Sequence, residues 1–335
     1  MDGREPIDFV ITWVDGTDPA WRAEKQHYSP DAVSDDQEVR YRDWELLRYW
    51  FRGVEKFAPW VRTIHFVTWG HLPDWLNVEN PKLHIVNHKD YLPSEYLPTF
   101  NSNALELFFH NIDSLSERFV YFNDDFFCLK DLTEEDFFKN GKACDMLAFQ
   151  PVVANKDNPV MSHMMLNNSL VLAQHFDKLE NVKQQPGAYF KLGYPLLYFC
   201  YNLLELVFPR FTGFYTVHGP YALCQQTYRD VWEKEEQILR KTMSSKFRNR
   251  EDVTLYLFRE WQKLSGNFTP KNVQRDLAYY NVGERDKKML KTITQQKRKF
   301  ICINDGHMVT DFDRTKRQLQ EAFEQILPER SSFEM

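Results

Sequence analysis

Residues 118–127, RFVYFNDDFF, decide how the chain reads. Phe119-Val120-Tyr121-Phe122 is an aromatic and β-branched run that predicts a buried strand. It ends in Asn123-Asp124-Asp125. Two adjacent carboxylates make poor core material, because an unpaired buried charge is costly. In an open α/β sheet, the C-terminal ends of the strands are where ligands bind. Hard oxygen donors there suit Mg²⁺ or Mn²⁺, and such an ion in turn holds phosphate oxygens. The same acids also read as a plain cap or turn before Phe126-Phe127, and the local sequence leaves both readings open.

Upstream, residues 7–14 (IDFVITWV) predict a first strand, followed by the turn-rich Asp15-Gly16-Thr17-Asp18-Pro19. Asp15 is placed either to contact a nucleotide or merely to make a tight turn. Residues 42–57 read as an amphipathic helix, with Trp44, Leu47, Phe51 and Val54 on one face and Pro59 as its stop. Strands over 63–70 and 83–87 complete a βαβ pattern, hence parallel pairing. After a polar loop, Ser102 or Asn103 caps a helix over 104–112 that sets Glu106 and His110 four apart on one face. That pair serves a site or is simply solvated. A short acidic-capped helix over 133–138 and a strand over 145–150 follow.

The character changes at 151–215, where Asn, Met and His cluster and an aromatic stretch over 189–214 is punctuated by Gly and Pro. We read a mostly helical insertion lying over the site. Its apolar surface is taken as core packing, in preference to an acceptor groove or a membrane-facing patch. Val217-His218-Gly219-Pro220 leads to a helix over 223–240, then a basic segment, Lys246-Phe247-Arg248-Asn249-Arg250, and a helix from Glu251 through Trp261. Arg248 and Arg250 are of the residue type best suited to clamp phosphate, against the plainer reading of a solvated charge cluster. Phe300-Ile301-Cys302-Ile303 is a last strand, closed by Asn304-Asp305. A polar pair thus ends a buried strand for the second time, which places both pairs on one cavity.

The expected fold is α/β and Rossmann-like, with a mainly parallel central sheet and a mostly helical insertion. Residues 1–150 and 216–335 form two parts of one catalytic domain, with 151–215 inserted between them. Hydrophobic residues at 43% and charged ones at 27% mark a folded chain, and 16% aromatics allow ring platforms for sugars. A net charge of −6 argues against nucleic acid as a partner. Five scattered cysteines without a CxxC pair read as free thiols in a reducing cytosol. The N-terminus has no apolar signal core, and the most apolar stretch, 196–208, is short of the about 20 residues a span needs.

Four blocks converge on a family. They are IDFVITWVDG; the long stretch over 42–125 with RDWELLRY, LPTFNSNALE and FVYFNDDFF; His218-Gly219-Pro220 with KFRNRED; and CIND with the terminal LPERSSFE. In these the chain resembles the Stealth family of hexose-1-phosphoryl transferases. Those are the bacterial capsular polysaccharide phosphotransferases, related to the animal GlcNAc-1-phosphotransferase. It departs at Trp44 and Leu46, where the family often has Asn and Glu, which leaves Asp43 and Arg48 as the residues of that helix with a supported role. Residues 151–215 match mainly the bacterial side.

The resemblance implies a nucleotide-sugar-transferase-like fold and a phosphotransferase for substituted phosphate groups. It implies transfer of a sugar-1-phosphate from a nucleotide-sugar, UDP-linked, to an acceptor hydroxyl, with release of UMP, in capsule or cell-surface polysaccharide synthesis. Such chemistry rests on positioning and charge neutralisation. Asp125 is then the leading metal ligand for Mg²⁺ or Mn²⁺, with Asp305 and Asp124 beside it; Glu106 ligates or orients the same centre. Arg248 neutralises diphosphate charge, helped by Arg48. His218 is the general base, since a histidine's ordinary pKa near ~6.5 lets it take a proton at neutral pH; the plainer reading has it support the loop before Pro220. Asp15 contacts nucleotide or metal. The implied partners are the nucleotide-sugar and a glycan or lipid-linked glycan acceptor, and the implied place is the cytoplasm, extending to peripheral association at the inner face of the plasma membrane. The alternatives are a metal-dependent glycosyltransferase releasing UDP and a non-catalytic carbohydrate-binding protein.

Overall fold

The computed structural model describes residues 5–28, 42–156, 158–305 and 308–335. Its strands are, in chain order, β1 (Ile7–Trp13), β2 (Ile64–Thr68), β3 (Leu83–Asn87), β4 (Arg118–Phe122), β5 (Phe126–Cys128), β6 (Phe138–Lys139), β7 (Lys142–Asp145), β8 (Tyr221–Cys224), β9 (Phe268–Pro270), β10 (Leu277–Asn281) and β11 (Phe300–Asn304). The central sheet runs β3-β2-β1-β4-β8, its first four strands parallel and β8 antiparallel against β4. The fold is therefore the mixed α/β, parallel-dominated architecture expected. Phe9, Val10, Ile11, Phe66, Val67, Phe119, Val120 and Phe122 are wholly buried, as strands covered on both faces must be.

Of two smaller sheets, one sets the site. In the order β10-β11-β5, β11 pairs parallel with β10 and antiparallel with β5. The chain therefore leaves β4 in the central sheet, turns at residues 123–125, and enters a second sheet as β5. The turn is closed by Phe126 N–H donating to the Asn123 carbonyl at 3.2 Å, and Ile303 N–H donates to the Asp125 carbonyl at 2.9 Å. The third sheet, β6-β7-β9, lies beyond.

Several expected elements differ. The helix expected from residue 42 begins at Leu47 and runs Leu47–Phe57. Asp43 Oδ1 takes the Glu45 N–H at 2.6 Å, and Glu45 has φ 54°, so local side-chain bonding outcompetes the first helical turn. Trp44 remains buried, but outside the helix, with its ring 4.5 Å from that of Phe312. The helix expected over 104–112 is one turn, Ser102–Glu106, followed by a 3₁₀ turn, Phe109–Asn111. Its cap is Asn101, whose side chain accepts from Asn103 N–H. Residues 133–138 hold only a 3₁₀ turn, Glu134–Asp136, closed by a reciprocal Thr133–Asp136 capping box. The strand expected over 145–150 pairs as Lys142–Asp145, and beyond it only Phe149 bridges to Phe214. Residues 221–224 form β8 where a helix was expected to start, because Leu223 and Tyr221 pair with Phe119 and Tyr121; the helix is Gln225–Met243. The helix expected from Glu251 begins after the Thr254 cap, as Leu255–Leu264. All five cysteines are free.

Within 151–215 lie the helices Pro159–His175, Lys178–Gln184, Pro186–Tyr189 and Leu196–Glu205. The core reading of the apolar surface there holds in part: Val171, Leu172, Val182 and Tyr189 are buried in the main core, whereas Leu192 is 93% and Leu196 76% exposed, and Leu203, Leu204, Val207 and Phe208 are also exposed. These leucines find no internal partner because the helix turns its two polar residues inward, as argued below.

The buried Asp8 ties down the N-terminal ends of the strands. It accepts from Arg62 Nε at 2.8 Å, His65 Nε2 at 3.1 Å and Ser116 N–H at 2.7 Å. Burial alone would raise this carboxyl, yet the bonds from His65, Arg62 and Ser116 hold it down at about 2. Its folded value lies below that of an unfolded aspartate. The stabilisation is therefore present above about pH 4 and is lost as pH falls through 2, and it is worth about 2 kcal/mol. Asp8→Asn lowers the urea-unfolding free energy by that order at pH 7, and the deficit shrinks as the comparison is repeated from pH 4 toward pH 2. A deficit that stays constant over that range contradicts the assignment.

Candidate active site

A cavity of about 1510 Å³ opens where the central sheet meets the β10-β11-β5 sheet. The turn after β4 contributes Asn123, Asp124 and Asp125, and the end of β11 contributes Asn304 and Asp305. Glu106, His218 and Arg248 complete the wall, and residues 150–156 with part of the helix Pro159–His175 cover it. Six of the eight residues singled out from sequence thus meet in one place.

Asp125 is held by its neighbours on one oxygen only. Oδ2 accepts from the Cys302 thiol at 3.2 Å and lies 3.6 Å from His218 Nε2, while Oδ1 is buried without a partner. Burial and the Asp125 charge push the Cys302 thiol well above its ordinary value, so it acts as an S–H donor and not as a thiolate. Asp124 is reached by solvent from the cavity. Even so, the surrounding protein and then the Asp125 charge push its carboxyl up to about 7. Asp43 adds a third negative group; burial raises it too, and its charge acts on Asp124. An excess of carboxylates with one buried oxygen unpartnered is a donor set suited to a divalent cation. The donor atoms of Asp125, His218 and Cys302 all lie within 4.8 Å of one another.

His218 is positioned from behind. Its Nδ1 faces the hydroxyls of Tyr221 at 3.0 Å and Tyr256 at 3.1 Å, and its ring packs edge-on against Phe126 at 4.9 Å. The preceding carbonyl, Val217, accepts from Arg259 Nη1 at 2.6 Å, and Arg259 is itself locked in a buried pair with Asp145. The next residue, Gly219, packs closely under Leu277: a Cβ there would meet Leu277 Cδ2 at 2.9 Å and push that side chain aside.

Glu106 Oε1 accepts from Tyr121 O–H at 3.1 Å. Burial raises its carboxyl to about 7, against the opposing charge of Arg248 and the bond from Tyr121. Arg248 donates from Nε to Ser102 Oγ at 2.9 Å. Its loop is pinned by the buried Asp252, whose Oδ2 accepts from Asn101 Nδ2 at 2.8 Å and Asn249 N–H at 3.1 Å, and whose Oδ1 accepts from Asn249 Nδ2 at 2.8 Å. The NSN and RNRED sequences therefore form one hydrogen-bonded unit.

Other placements differ from the expectation. Asp305 lines the cavity, but Arg42 engages both its oxygens, at 2.9 and 2.6 Å, which leaves it poorly placed as a metal ligand. Asp15 and Arg48 do not line the cavity. Asp15 Oδ1 accepts from Thr17 N–H and Oγ1–H at 2.7 and 2.6 Å, which is the tight-turn reading. Arg48 lies over the Trp75 ring at 5.4 Å. The helix ends at Glu106, so His110 does not share a face with it. The His110 ring packs 5.5 Å from that of Tyr228, and burial pushes it down to about 4, a neutral core histidine. Arg42, Cys302 and Tyr256 were missed. Arg42 and Cys302 sit inside motif blocks, whereas nothing in the sequence marks Tyr256.

A strand-end carboxylate cluster facing a polar cavity in a parallel-dominated α/β sheet is a ligand site, and the relatives of the chain are transferases. Family models for Stealth conserved region 1, region 2 and region 4 match residues 5–31, 40–145 and 291–335. The capsular polysaccharide phosphotransferase WcwK of Streptococcus pneumoniae is 38% identical over 100% of this chain and 99% of its own. The exopolysaccharide phosphotransferase cps2G of Lactiplantibacillus plantarum is 38% identical over 99% and 97%. The receptor polysaccharide phosphotransferase WefC of Streptococcus oralis is 35% identical over 98% and 99%. The chain belongs to the Stealth family, as its motifs implied.

Removing the Asp252 carboxylate takes one acceptor from the side-chain amides of Asn101, Asn103 and Asn249 and from the Asn249 N–H. Asp252→Ala costs on the order of 2 kcal/mol in urea unfolding and speeds tryptic cleavage after Arg248 and Arg250. Unchanged stability and cleavage would show that this loop is held by something else.

Proposed function

We propose that this enzyme transfers a sugar-1-phosphate from a UDP-sugar to an acceptor hydroxyl, releasing UMP, in the assembly of a bacterial capsular or exopolysaccharide. The observation that carries this reading is the unpartnered, buried Asp125 Oδ1 in a cavity shared with Arg248 and His218. The relatives' description as polysaccharide phosphotransferases supports the reaction class. A conventional glycosyl transfer would use the same acids but release UDP.

In this reading Asp125 and Asp124 hold Mg²⁺ or Mn²⁺, which when bound supplies positive charge against the diphosphate. Arg248 binds phosphate oxygens, and Glu106 holds Arg248 by charge and is oriented by Tyr121. The acceptor hydroxyl approaches from the side of residues 150–156. Its oxygen attacks the phosphorus that carries the sugar, the bond to the UMP oxygen breaks, and the departing UMP takes that electron pair. His218 Nε2 receives the hydroxyl proton while Tyr221 and Tyr256 fix the ring through Nδ1. Residues 1–150 and 216–335 act as one catalytic domain, and 151–215 covers its acceptor side. The acceptor is a glycan, carried on a lipid at the cytoplasmic face of the plasma membrane.

The 4.8 Å grouping of Asp125, His218 and Cys302 favours a second reading, in which His218 is a ligand of the ion. The reaction, the ion and the role of His218 are tested separately. Mass spectrometry of a UDP-sugar panel with Mg²⁺ or Mn²⁺ and glycan acceptor should show UMP, and UDP as sole product would sink the proposal. Asp125→Ala should lower turnover about a hundredfold or more and weaken Mn²⁺ binding in calorimetry. His218→Gln should lower turnover with Mn²⁺ affinity intact if it is the base, and lower both if it is a ligand.

A further inference from the structure

The helix Leu196–Glu205 is built inside out. Residues 192–209, LGYPLLYFCYNLLELVFP, hold a single charge, Glu205. Both strongly polar side chains of the helix point inward. Asn202 is wholly buried, with Oδ1 accepting from Phe149 N–H at 2.7 Å and Nδ2 donating to the carbonyls of Tyr189 at 2.6 Å and Leu147 at 3.2 Å. Glu205 is 4% exposed and accepts from the buried Lys178 Nζ at 2.9 Å. The outer face is apolar: Leu196 and Val207 are each 76% exposed and Leu204 is 64% exposed, with Leu203 and Phe208 beside them. An ordinary surface helix puts its polar residues out and its leucines in. Exposed apolar groups on this scale mark a binding surface.

The charges at its border identify what covers it. The run is bracketed by Lys191 and Arg210, both exposed, whereas the chain as a whole carries −6. Long cationic side chains at the edge of an apolar face reach phosphate headgroups while the leucines enter the acyl boundary. A second copy of the chain fits less well. A twofold interface would gather two Lys191–Arg210 sets around one apolar centre, and the run offers no exposed acid to balance them. The helix is about 15 Å long, too short to span a bilayer, and among the described residues no helix is long and apolar enough to cross one.

We infer that this face docks the enzyme on an anionic phospholipid surface, lying in the headgroup region. The same helix is joined to the wall of the cavity, because Tyr198 stacks on the cavity-lining Tyr215 at 3.9 Å and Asn202 fixes the strand-like segment leading into residues 150–156. Docking there fixes how the cavity mouth sits above the lipid. The inference needs nothing from the chemistry in the cavity.

Flotation with phosphatidylcholine vesicles, with and without phosphatidylglycerol, tests it on the full chain. The wild type should float with phosphatidylglycerol vesicles, less so at high salt. Leu203→Glu with Leu204→Glu should cut the bound fraction about tenfold or more while thermal unfolding stays unchanged. Lys191→Glu with Arg210→Glu should weaken binding and flatten its salt dependence. A wild type that stays off both vesicle types, or leucine variants that float like it, overturns the proposal. So does a lipid-free dimer, seen by sedimentation, that the leucine variants abolish while vesicle binding is absent.

Discussion

The arrangement depends on one backbone constraint: the chain turns between two sheets within residues 123–125. β4 is hydrogen-bonded on both sides in the central sheet, to β1 and β8, and β5 is hydrogen-bonded to β11 in another. The turn that joins them cannot relax without breaking one ladder or the other. The bond from Ile303 N–H to the Asp125 carbonyl at 2.9 Å adds a direct lock across the junction. The carboxylates are therefore carried by backbone held from both ends, as a preorganised site requires.

The cost of that arrangement is visible in the charges. Asp43, Asp124 and Glu106 all lie above the ordinary carboxylate range, because the surrounding protein shields each from bulk water, although Asp43 and Asp124 still reach solvent. The structure balances some of this negative charge from within, by Arg42 on Asp305 and Arg248 beside Glu106. It leaves Asp124 without a lysine or arginine bonded to it among the contacts described, and Asp125 with only the His218 imidazole, 3.6 Å away. A centre left negative while its periphery is neutralised suits a cation, which Asp124 and Asp125 would hold on the proposed reading. The phosphates of a substrate would bring the opposite charge to the same place, so ion and donor support each other's binding.

How much of this was legible in the sequence depends on whether the signal was local. The parallel strands were, because each is a continuous apolar run bounded by turn residues, and so was the acidic end of β4. β8 was not: four residues are too few to show a period, and Tyr221–Cys224 adopts strand geometry only because β4 offers an open edge. The helix expected from residue 42 failed for a local reason, the Asp43–Glu45 bond, that composition does not reveal. Among site residues, Asp125, His218 and Glu106 line one cavity, whereas Arg48, on a motif block, rests on Trp75, and Asp15 bonds within its own turn while its charge reaches the cavity-lining Asp43. A motif fixes that a residue matters to the fold or the site; only tertiary contacts say which. Arg48 rests over Trp75 and Arg52 on the same helix binds Glu334 near the C-terminus, so that block serves packing of the terminal segment as well as the cavity.

The helix Leu196–Glu205 shows the opposite limit. Its composition alone was read as core, a fair inference from a run with one charge in 18 residues. Composition counts apolar groups but does not orient them, and here orientation was set by two polar side chains. Asn202 bonds three backbone groups in the segments at Leu147, Phe149 and Tyr189, and Glu205 neutralises a buried lysine; neither could be met by turning outward. Because those two positions face in, the leucines on the other side must face out. Their exposure is thus a consequence of satisfied internal bonds and not of loose packing, and the surface they make is as rigidly placed relative to the cavity as Tyr215 is. On the proposed reading, with the acceptor carried on a lipid and this face docked on the membrane, the helix would hold the cavity mouth at a fixed height through side chains that the sequence shows but does not aim.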